Sequence, residues 1–407
     1  MLSTVTPDEA LKLLTSAFGE LRTPAENCPL SAALGRVLAE DVESPEYIPG
    51  FDRSSVDGYA VAAADTFGCG ETSPALLKLR GRVKMGRAPD FSLAPGECAA
   101  IPTGGQLPEG ADAADMLEYA EDYGGGLIGL IRSAAPGQNV VFRGDDAAPG
   151  RVILPAGRRL GAADIGALAA MGITEPLVRR RPIVGILSTG DELVPPDRVP
   201  GPGEVRDVNA PLLSALVRGC GGEPKELGII RDEVSELDSA LSSAAHGCDL
   251  VIVTGGSSAG AHDAVSRVIE ARGRLLFHGI AMRPGKPAML GDIGGTPVFG
   301  LPGHPGAAYF TARLLVAAHI RSLLGLEAQP RTVRARLTEN LPANDGRELF
   351  CGVRLRMENG ELWAEPIRTK SGLISALAAS DGTLRVARDC EGVHRGTPVT
   401  IELEDID

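Results

Sequence analysis

Apolar positions at the start of the chain fall on a helical period. Ala10, Leu13, Leu14, Ala17 and Leu21 recur at three- and four-residue steps. "TPDE", Thr6 to Glu9, precedes them with capping-box spacing and a proline at the first helical position. A second short helix is expected over 31–39, and "ESPEYIPGF" closes the unit with two prolines. From about residue 45 to 141 the period shortens. Runs such as "LLKLRGRVKM" and "GLIGLI" sit between Gly/Pro turns and predict a β-rich domain. Helical spacing returns over 162–171 and stops at Gly172.

From about 181 to 325, continuous apolar runs alternate with helical stretches. "PIVGIL", "DLVIV" and the shorter "TPVFGL" read as strands buried on both faces, with helices over 209–218, 232–245 and 263–272 between them. After Gln329 the helical period vanishes, and "TVRARL", "ELFCGVRLR", "ELWAEPI", "TLRVA" and "TPVTIEL" suggest a small barrel or sandwich. The expected fold class is multidomain α/β plus β: a central α/β/α domain with a mostly parallel sheet, an inserted β-rich domain, a small helical or mixed domain and a C-terminal β-barrel-like domain. The expected boundaries are 1–44 with 142–180 for the discontinuous helical domain, 45–141 for the β-rich insertion, 181–328 for the α/β domain and 329–407 for the barrel.

Composition narrows this reading. At 407 residues with 43% hydrophobic side chains, the chain can bury several cores. A net charge of −13 argues against nucleic-acid and anionic-membrane surfaces. The seven cysteines contain no CxxC pair, which opposes a structural zinc site or a disulfide framework and fits a reducing cytoplasm. The start of the chain has no signal-peptide pattern, and no apolar run is long enough to span a membrane.

Three expected strands end alike. They run into "STGDEL", "TGGSSAGAHD" and "GLPGHPG". Parallel strands put their C-terminal ends on one edge, where open α/β sheets bind ligands. Thr189, Gly190, Gly255, Gly256, Ser257, Gly260, Pro302 and Gly303 would bring bare backbone and helix N-termini toward an anion such as phosphate. Glu192 and Asp263 would repel that anion unless a cation such as magnesium bridges them. Plainer readings stand beside these: Asp263 and Asp232 as helix caps, Glu192 as a solvated loop acid, the glycines as turns. "RPGKP" adds Arg283 and Lys286 on a stiff basic turn that lacks P-loop spacing. "FDRSSVDGYAV" concentrates Asp52, Arg53, Ser54, Ser55 and Asp57 in another domain, so any shared site lies at a domain or subunit interface. The GxGxxG match at Gly124, Gly126 and Gly129 leads into a strand and is set aside. The six histidines form no HxH or HxxxH pair.

In order along the chain, "SSVDGYAV", "IPTGGQLPEGAD", "NVVFRGDD", "LSTGDEL", "TGGSSAGAHD", "MRPGKP", "GLPGHP", "DGRELF" and "SGLISAL" occur. The set resembles the molybdopterin molybdenumtransferase family, the insertion enzymes of molybdenum-cofactor biosynthesis, related to the E domain of gephyrin. That resemblance implies four domains in an elongated homodimer, with the "DGYA" domain of one subunit facing the α/β domain of the other. It implies magnesium-dependent cleavage of adenylylated molybdopterin, release of AMP and transfer of molybdenum from molybdate. Asp57, Glu192, Asp232 and Asp263 would be functional acids, and Thr103 the threonine of a TG motif. Arg283, Lys286, Arg347 and Ser371 would lie at the molybdate. Besides a second copy, the implied partners are molybdopterin adenylyltransferase and molybdoenzyme-maturation proteins. Departures also stand out: His304 in place of an asparagine, Gly306 and Ala307 for valine and serine, Ala259 and Ala261 in the second loop, Pro102 and Gly105 around the TG motif. They keep an alternative in play, a non-catalytic carrier of molybdopterin or its cofactor. A second alternative is the adenylyltransferase one step earlier, which the extra domains oppose.

Overall fold

The computed structural model describes residues 4–231, 233–255, 259–326, 331–343, 346–367 and 372–404, with backbone alone over 259–263. Helix α1 (Pro7–Phe18) starts with the expected capping box. Glu9 N–H donates to Thr6 Oγ1 at 3.2 Å, and Thr6 N–H donates to Glu9 Oε2 at 2.7 Å. Two antiparallel pairs then tie distant segments together: Ala25–Asn27 with Leu177–Arg179, and Val42–Glu43 with Val152–Leu154. Helix α2 (Ala162–Ala170) supplies Leu168 to the core between them, beside Cys28, Leu38, Leu154, Leu160 and Val178. The helix expected over 31–39 is a single 3-10 turn, Leu30–Ala32. Gly35 at φ 73° turns the chain, and Val37 and Leu38 bridge to Arg159 and Val178. Long-range pairing there overrides local helical spacing.

The β-rich unit is a six-stranded sheet in the order Ala113–Met116, Gly58–Val61, Glu97–Ile101, Ala75–Arg82, Leu127–Leu130, Ala120–Asp122. Alternation sends Val61, Cys98, Ile128 and Leu130 to one core and Ala60, Ala99, Ile101 and Ala114 to another. Gly124, Gly125 and Gly126, all at positive φ, make the hairpin turn before Leu127.

The central domain runs β1 (Ile183–Thr189), α3 (Asn209–Gly219), β2 (Glu223–Ile230), α4 (Val234–Gly247), β3 (Leu250–Gly255), α5 (Ala259–Arg272), β4 (Arg274–His278), β5 (Met289–Ile293), β6 (Thr296–Pro302) and α6 (Pro305–Leu324). The sheet order is β2-β1-β3-β6-β5-β4. The first four strands are parallel, and β5 and β4 are antiparallel at one end. Strand β2 escapes the apolar-run criterion because it is an edge strand with half-exposed and exposed positions. Val184, Ile186, Leu250, Ile252, Phe299 and Leu301 pack toward α3 and α6. Their alternates Leu187, Val251, Val253 and Val298 pack toward α4 and α5. Burial on both faces is why these strands read as unbroken apolar runs.

Helix α1, within the expected 1–44 segment of the discontinuous domain, packs against this core. Ala10, Leu14 and Phe18 are buried with Leu315, Val316 and Ile320 of α6. Burying side chains the size of leucine and phenylalanine contributes roughly 1.5–3 kcal/mol each.

The C-terminal strands Thr332–Leu337, Glu348–Glu358, Glu361–Pro366, Gly382–Val386 and Pro398–Leu403 close into a five-stranded barrel, because Glu348–Glu358 pairs with both Glu361–Pro366 and Gly382–Val386. Leu337, Val353, Ala364, Leu384 and Ile401 fill it. The barrel is stitched to the central domain where Met282–Arg283 pairs in parallel with Glu348–Leu349. No helix among the described residues is long and apolar enough to cross a membrane.

Candidate functional site

Register fixes where the loops meet. Thr189 pairs with Ile230 on one side and Gly255 on the other, and Gly255 pairs with Pro302. The four parallel strands therefore end in one row. Strand β5 is antiparallel to β6, with Met289 opposite Gly300, so the "RPGKP" turn just before Met289 enters from the same rim. Thr189 and Met289 stand three strand spacings apart, roughly 14 Å. Helices α5 and α6 begin on this rim, and their N-termini favour negative charge there.

The first loop is built around Gly190. Its φ of +147° is a conformation side chains rarely adopt, and a Cβ there would come within 2.8 Å of Glu192 Oε2. The Glu192 carboxylate thus folds back over bare backbone. Val205 N–H donates to Glu192 O at 2.8 Å, and Leu193–Val194 pairs with Val205–Arg206. Beside this loop opens a cavity of about 570 Å³ lined by Gly190, Asp191, Arg198, Glu204, Asp207 and Arg231, among others. Thr189 is only 2% exposed, and a Cβ on Gly255 would lie 1.7 Å from its Oγ1. Glycine at 255 is what lets the two strand ends lie side by side.

In the second loop, α5 starts at Ala259, four residues before the expected start. Asp263 is therefore in the second helical turn, and the capping role for it is excluded. Gly260 lies in the first turn of the same helix. Asp232, Gly256, Ser257 and Ser371 lie outside the described residues.

In the third loop, Pro302 ends β6 and Gly303 O accepts from Asn209 Nδ2 at 2.9 Å. His304 occupies the N-cap of α6 without a side-chain cap bond, and Pro305 follows at the first helical position. The barrel closes on this point, since a Cβ on Gly372 would sit 3.6 Å from His304 Cδ2.

On the basic turn, Lys286 is exposed and Arg283 half-buried. Arg347 directly precedes Glu348, the residue paired with Met282, so Arg283 and Arg347 lie on neighbouring segments where the barrel meets the sheet. Glu348 bonds Arg385, whose guanidinium also donates to Asp8 Oδ1 of α1 at 2.7 Å. The Glu348 hydrogen bond is the main reason Arg385 holds its proton above the ordinary arginine range, with Asp8 adding to it. Between this seam and α6 is a largely apolar cavity of about 400 Å³, lined by Phe310, Phe350, Leu349 and Leu377, with Arg283 contributing charge.

The β-rich unit gathers a second cluster. Asp57 Oδ1 accepts Thr103 N–H at 2.7 Å. Gly104 N–H donates to Ser54 O at 2.7 Å, and Ser54 N–H to Gly105 O at 3.0 Å. Asp52 Oδ1 accepts Arg143 N–H at 2.7 Å, and the Arg143 guanidinium lies 4.2 Å from the centre of the Tyr47 ring. "SSVDGYAV", "IPTGGQ" and "NVVFRGDD" are thereby knitted into one exposed surface. Sequence reasoning chose Asp57 and Thr103 but passed over Arg143, which reaches Asp52 across 91 positions. It also passed over Asp207 and Asn209 at the start of α3, where "DVN" gave the only local signal.

Among the described residues, no group of three or more His, Cys, Asp or Glu could hold a metal. What the rim offers is isolated carboxylate oxygen from Glu192, with Asp263 placed in the second turn of the neighbouring helix α5. Such a sparse, all-oxygen donor set fits magnesium, which keeps waters and takes substrate phosphate oxygens as ligands. It does not fit a zinc-like ion.

Fold and rim define a multidomain α/β protein whose ligand edge is the carboxyl end of a mostly parallel sheet. Three family models match in succession: the MoeA N-terminal region (domain I and II) over 5–172, a probable molybdopterin binding domain over 185–322, and the MoeA C-terminal region (domain IV) over 334–403. A molybdopterin molybdenumtransferase of Bacillus subtilis is 32% identical over 381 residues, 92% of this chain and 88% of that one. One from Nostoc sp. is 35% identical over 337 residues, 81% and 77% of the two chains. The crystal structure of a molybdopterin biosynthesis MoeA protein from Pyrococcus horikoshii superposes with a TM-score of 0.86 at 34% identity, covering 99% of this chain and 100% of that one. The chain belongs to the molybdopterin molybdenumtransferase family and is an enzyme of molybdenum-cofactor biosynthesis.

Proposed function

We propose that the rim cleaves adenylylated molybdopterin and transfers molybdenum from molybdate to its dithiolene sulfurs, releasing AMP. The observation that carries this reading is the alignment of Thr189, Gly255 and Pro302 in one row, with the "RPGKP" turn entering the same edge. Backbone around Gly190, Gly255, Gly256, Ser257, Gly260 and Gly303 takes the phosphoanhydride. Glu192 and Asp263 hold a divalent cation, which when bound neutralises phosphate charge in the displacement. Lys286, Arg283, Arg347 and Ser371 hold molybdate where the barrel meets the sheet. Fixed positive charge at that point stabilises an oxyanion without reorganisation. Asp232, just ahead of α4 in the sequence, is assigned a role as a further functional acid. Asp57 and Thr103 complete the site from the β-rich unit of a second subunit, so the working form is a homodimer.

A carrier that binds without turnover is the second reading, and the uncapped His304 at the start of α6 favours it. The deciding experiment mixes the protein with adenylylated molybdopterin, magnesium and molybdate and follows AMP. Metal-dependent AMP release supports the enzyme, while tight binding without release supports the carrier. Asp263→Ala should lose metal-dependent cleavage and keep its fold by circular dichroism. Full activity in that variant removes Asp263 from the mechanism.

A further inference from the structure

Loops after non-neighbouring strands cannot be held together by the sheet itself. β1 and β6 are separated by β3, so the Glu192 loop and the Gly303 loop lie two strand spacings apart, roughly 10 Å. Hydrogen bonds linked through the backbone of 192–194 and 205–209 join them by another route. It begins with Val205 N–H on Glu192 O at 2.8 Å and continues with Asp207 N–H on Val194 O at 2.8 Å. Asp207 Oδ1 then accepts the N–H groups of Asn209, at 3.0 Å, and Ala210, at 3.1 Å, which fixes the first turn of α3. Finally Asn209 Nδ2 donates to Gly303 O at 2.9 Å.

Both linking side chains are buried, Asp207 at 5% and Asn209 at 6% exposed. Burial shields these bonds from competing water, which makes each one matter more. The orientation of the Asn209 amide follows from chemistry, since a carbonyl oxygen can be satisfied only by the NH₂ side. Its Oδ1 is buried without a partner, so the bond to Gly303 is the interaction that holds the amide at this end. Pro195, Pro196, Pro200 and Pro202 stiffen the intervening segment, and a stiff segment transmits position where a floppy one absorbs it.

We infer that Asn209 is a positioning residue: through Asp207 it sets the separation between the Glu192 carboxylate and the Gly303 loop. This rests on the proposed function only for its catalytic consequence. A reaction that needs a cation-bound phosphate and an acceptor loop in fixed register is sensitive to their spacing, and a displacement near 1 Å can cost about 100-fold in rate.

Two readouts separate the mechanical claim from the catalytic one. In Asn209→Ala, hydrogen exchange at the Val205 and Asp207 amides should quicken by about tenfold, a response to losing a bond made at Gly303. Asp207→Ala should do the same, and Asp207→Ser should restore slow exchange because serine also caps a helix start. Ser44→Ala is the comparison. Ser44 is buried and its Oγ donates to Glu46 O at 2.7 Å, in the discontinuous domain, so its loss should leave both amides unchanged. In the AMP-release assay Asn209→Ala should lower kcat between about 10- and 100-fold with less than about threefold change in KM for adenylylated molybdopterin. Unchanged exchange at Val205 and Asp207 in a folded Asn209→Ala protein overturns the inference, whatever the activity. Quickened exchange with wild-type kcat keeps the mechanical link and removes its catalytic part. A wild-type protein that releases no AMP fails the proposed function and leaves the exchange result standing.

Discussion

At the residue scale, the rim depends on atoms that are missing. Gly190 at φ +147° places its backbone under the Glu192 carboxylate, and Gly255 leaves room for the Thr189 hydroxyl. One residue deeper on the same two strands the arrangement changes: Ser188 and Thr254 carry hydroxyls that face each other at 3.4 Å. Inside the sheet two hydroxyls meet, whereas at its edge the Thr189 hydroxyl faces the bare backbone of Gly255. Gly190→Ala should therefore displace Glu192 as well as strain the turn. The strain costs about 1–3 kcal/mol, visible as a lower urea midpoint. In the AMP-release assay, the magnesium concentration needed for half-maximal rate should rise by about tenfold or more. The glycines were legible in the sequence as turns and close-approach positions. Their pairing with Glu192 and Thr189 was not, because a Cβ clash is a relation between residues that only the folded backbone brings together.

At the element scale, strands buried on both faces announce themselves and edge strands do not. β1 and β3 were read from unbroken apolar runs; β2, half-exposed, was not. Helix starts show the same division. The α1 capping box is local chemistry and formed as spelled. The start of α5 moved to Ala259 because nothing in an Ala-Gly-Ala segment marks a boundary. Docking of α1 onto α6 was also invisible, since an apolar stripe does not name its partner. That docking carries a pH signature. His319 of α6 is 2% exposed, between Phe18 of α1 and Phe299 of β6. Burial lowers its pKa from 6.5 to about 4, with Asp249 opposing weakly. Above pH 6.5 the ring is neutral in both folded and unfolded chains, and its stability contribution is fully present. As pH falls from 6.5 toward about 4, the unfolded chain takes up a proton that the core refuses, and stability drops by roughly 3 kcal/mol. Thermal midpoints across that window should show the decline, and His319→Phe should flatten it. An equal slope in the variant would place the acid sensitivity elsewhere.

At the scale of the whole molecule, one arginine connects three parts of the chain. Arg385 of the barrel bonds Glu348 beside the "RPGKP" seam and Asp8 at the start of α1, and its guanidinium lies 5.8 Å from the centre of the Phe350 ring. Arg385→Gln leaves the mostly buried Glu348 without its cation. Because Arg385 is itself about one-third exposed, the loss should be about 1–3 kcal/mol rather than the larger cost of a fully buried pair. Urea unfolding measures it, and Asp8→Asn alone should cost less because Asp8 is solvent-exposed. An Asp8→Asn effect as large as that of Arg385→Gln would move the anchor from Glu348 to α1. What the sequence determined by itself was everything carried by short-range pattern: the strand–helix alternation of the central domain, the capping box, and the family motifs with their glycines and acids. These are readable because backbone conformation and burial follow residue type over a few positions. What only the tertiary structure decided was partnership: α1 with α6, Glu348 with Arg385, Arg143 with Asp52, Asn209 with Gly303. Those pairs are set by the register of the sheets and the closing of the barrel, which bring together residues that no local window contains.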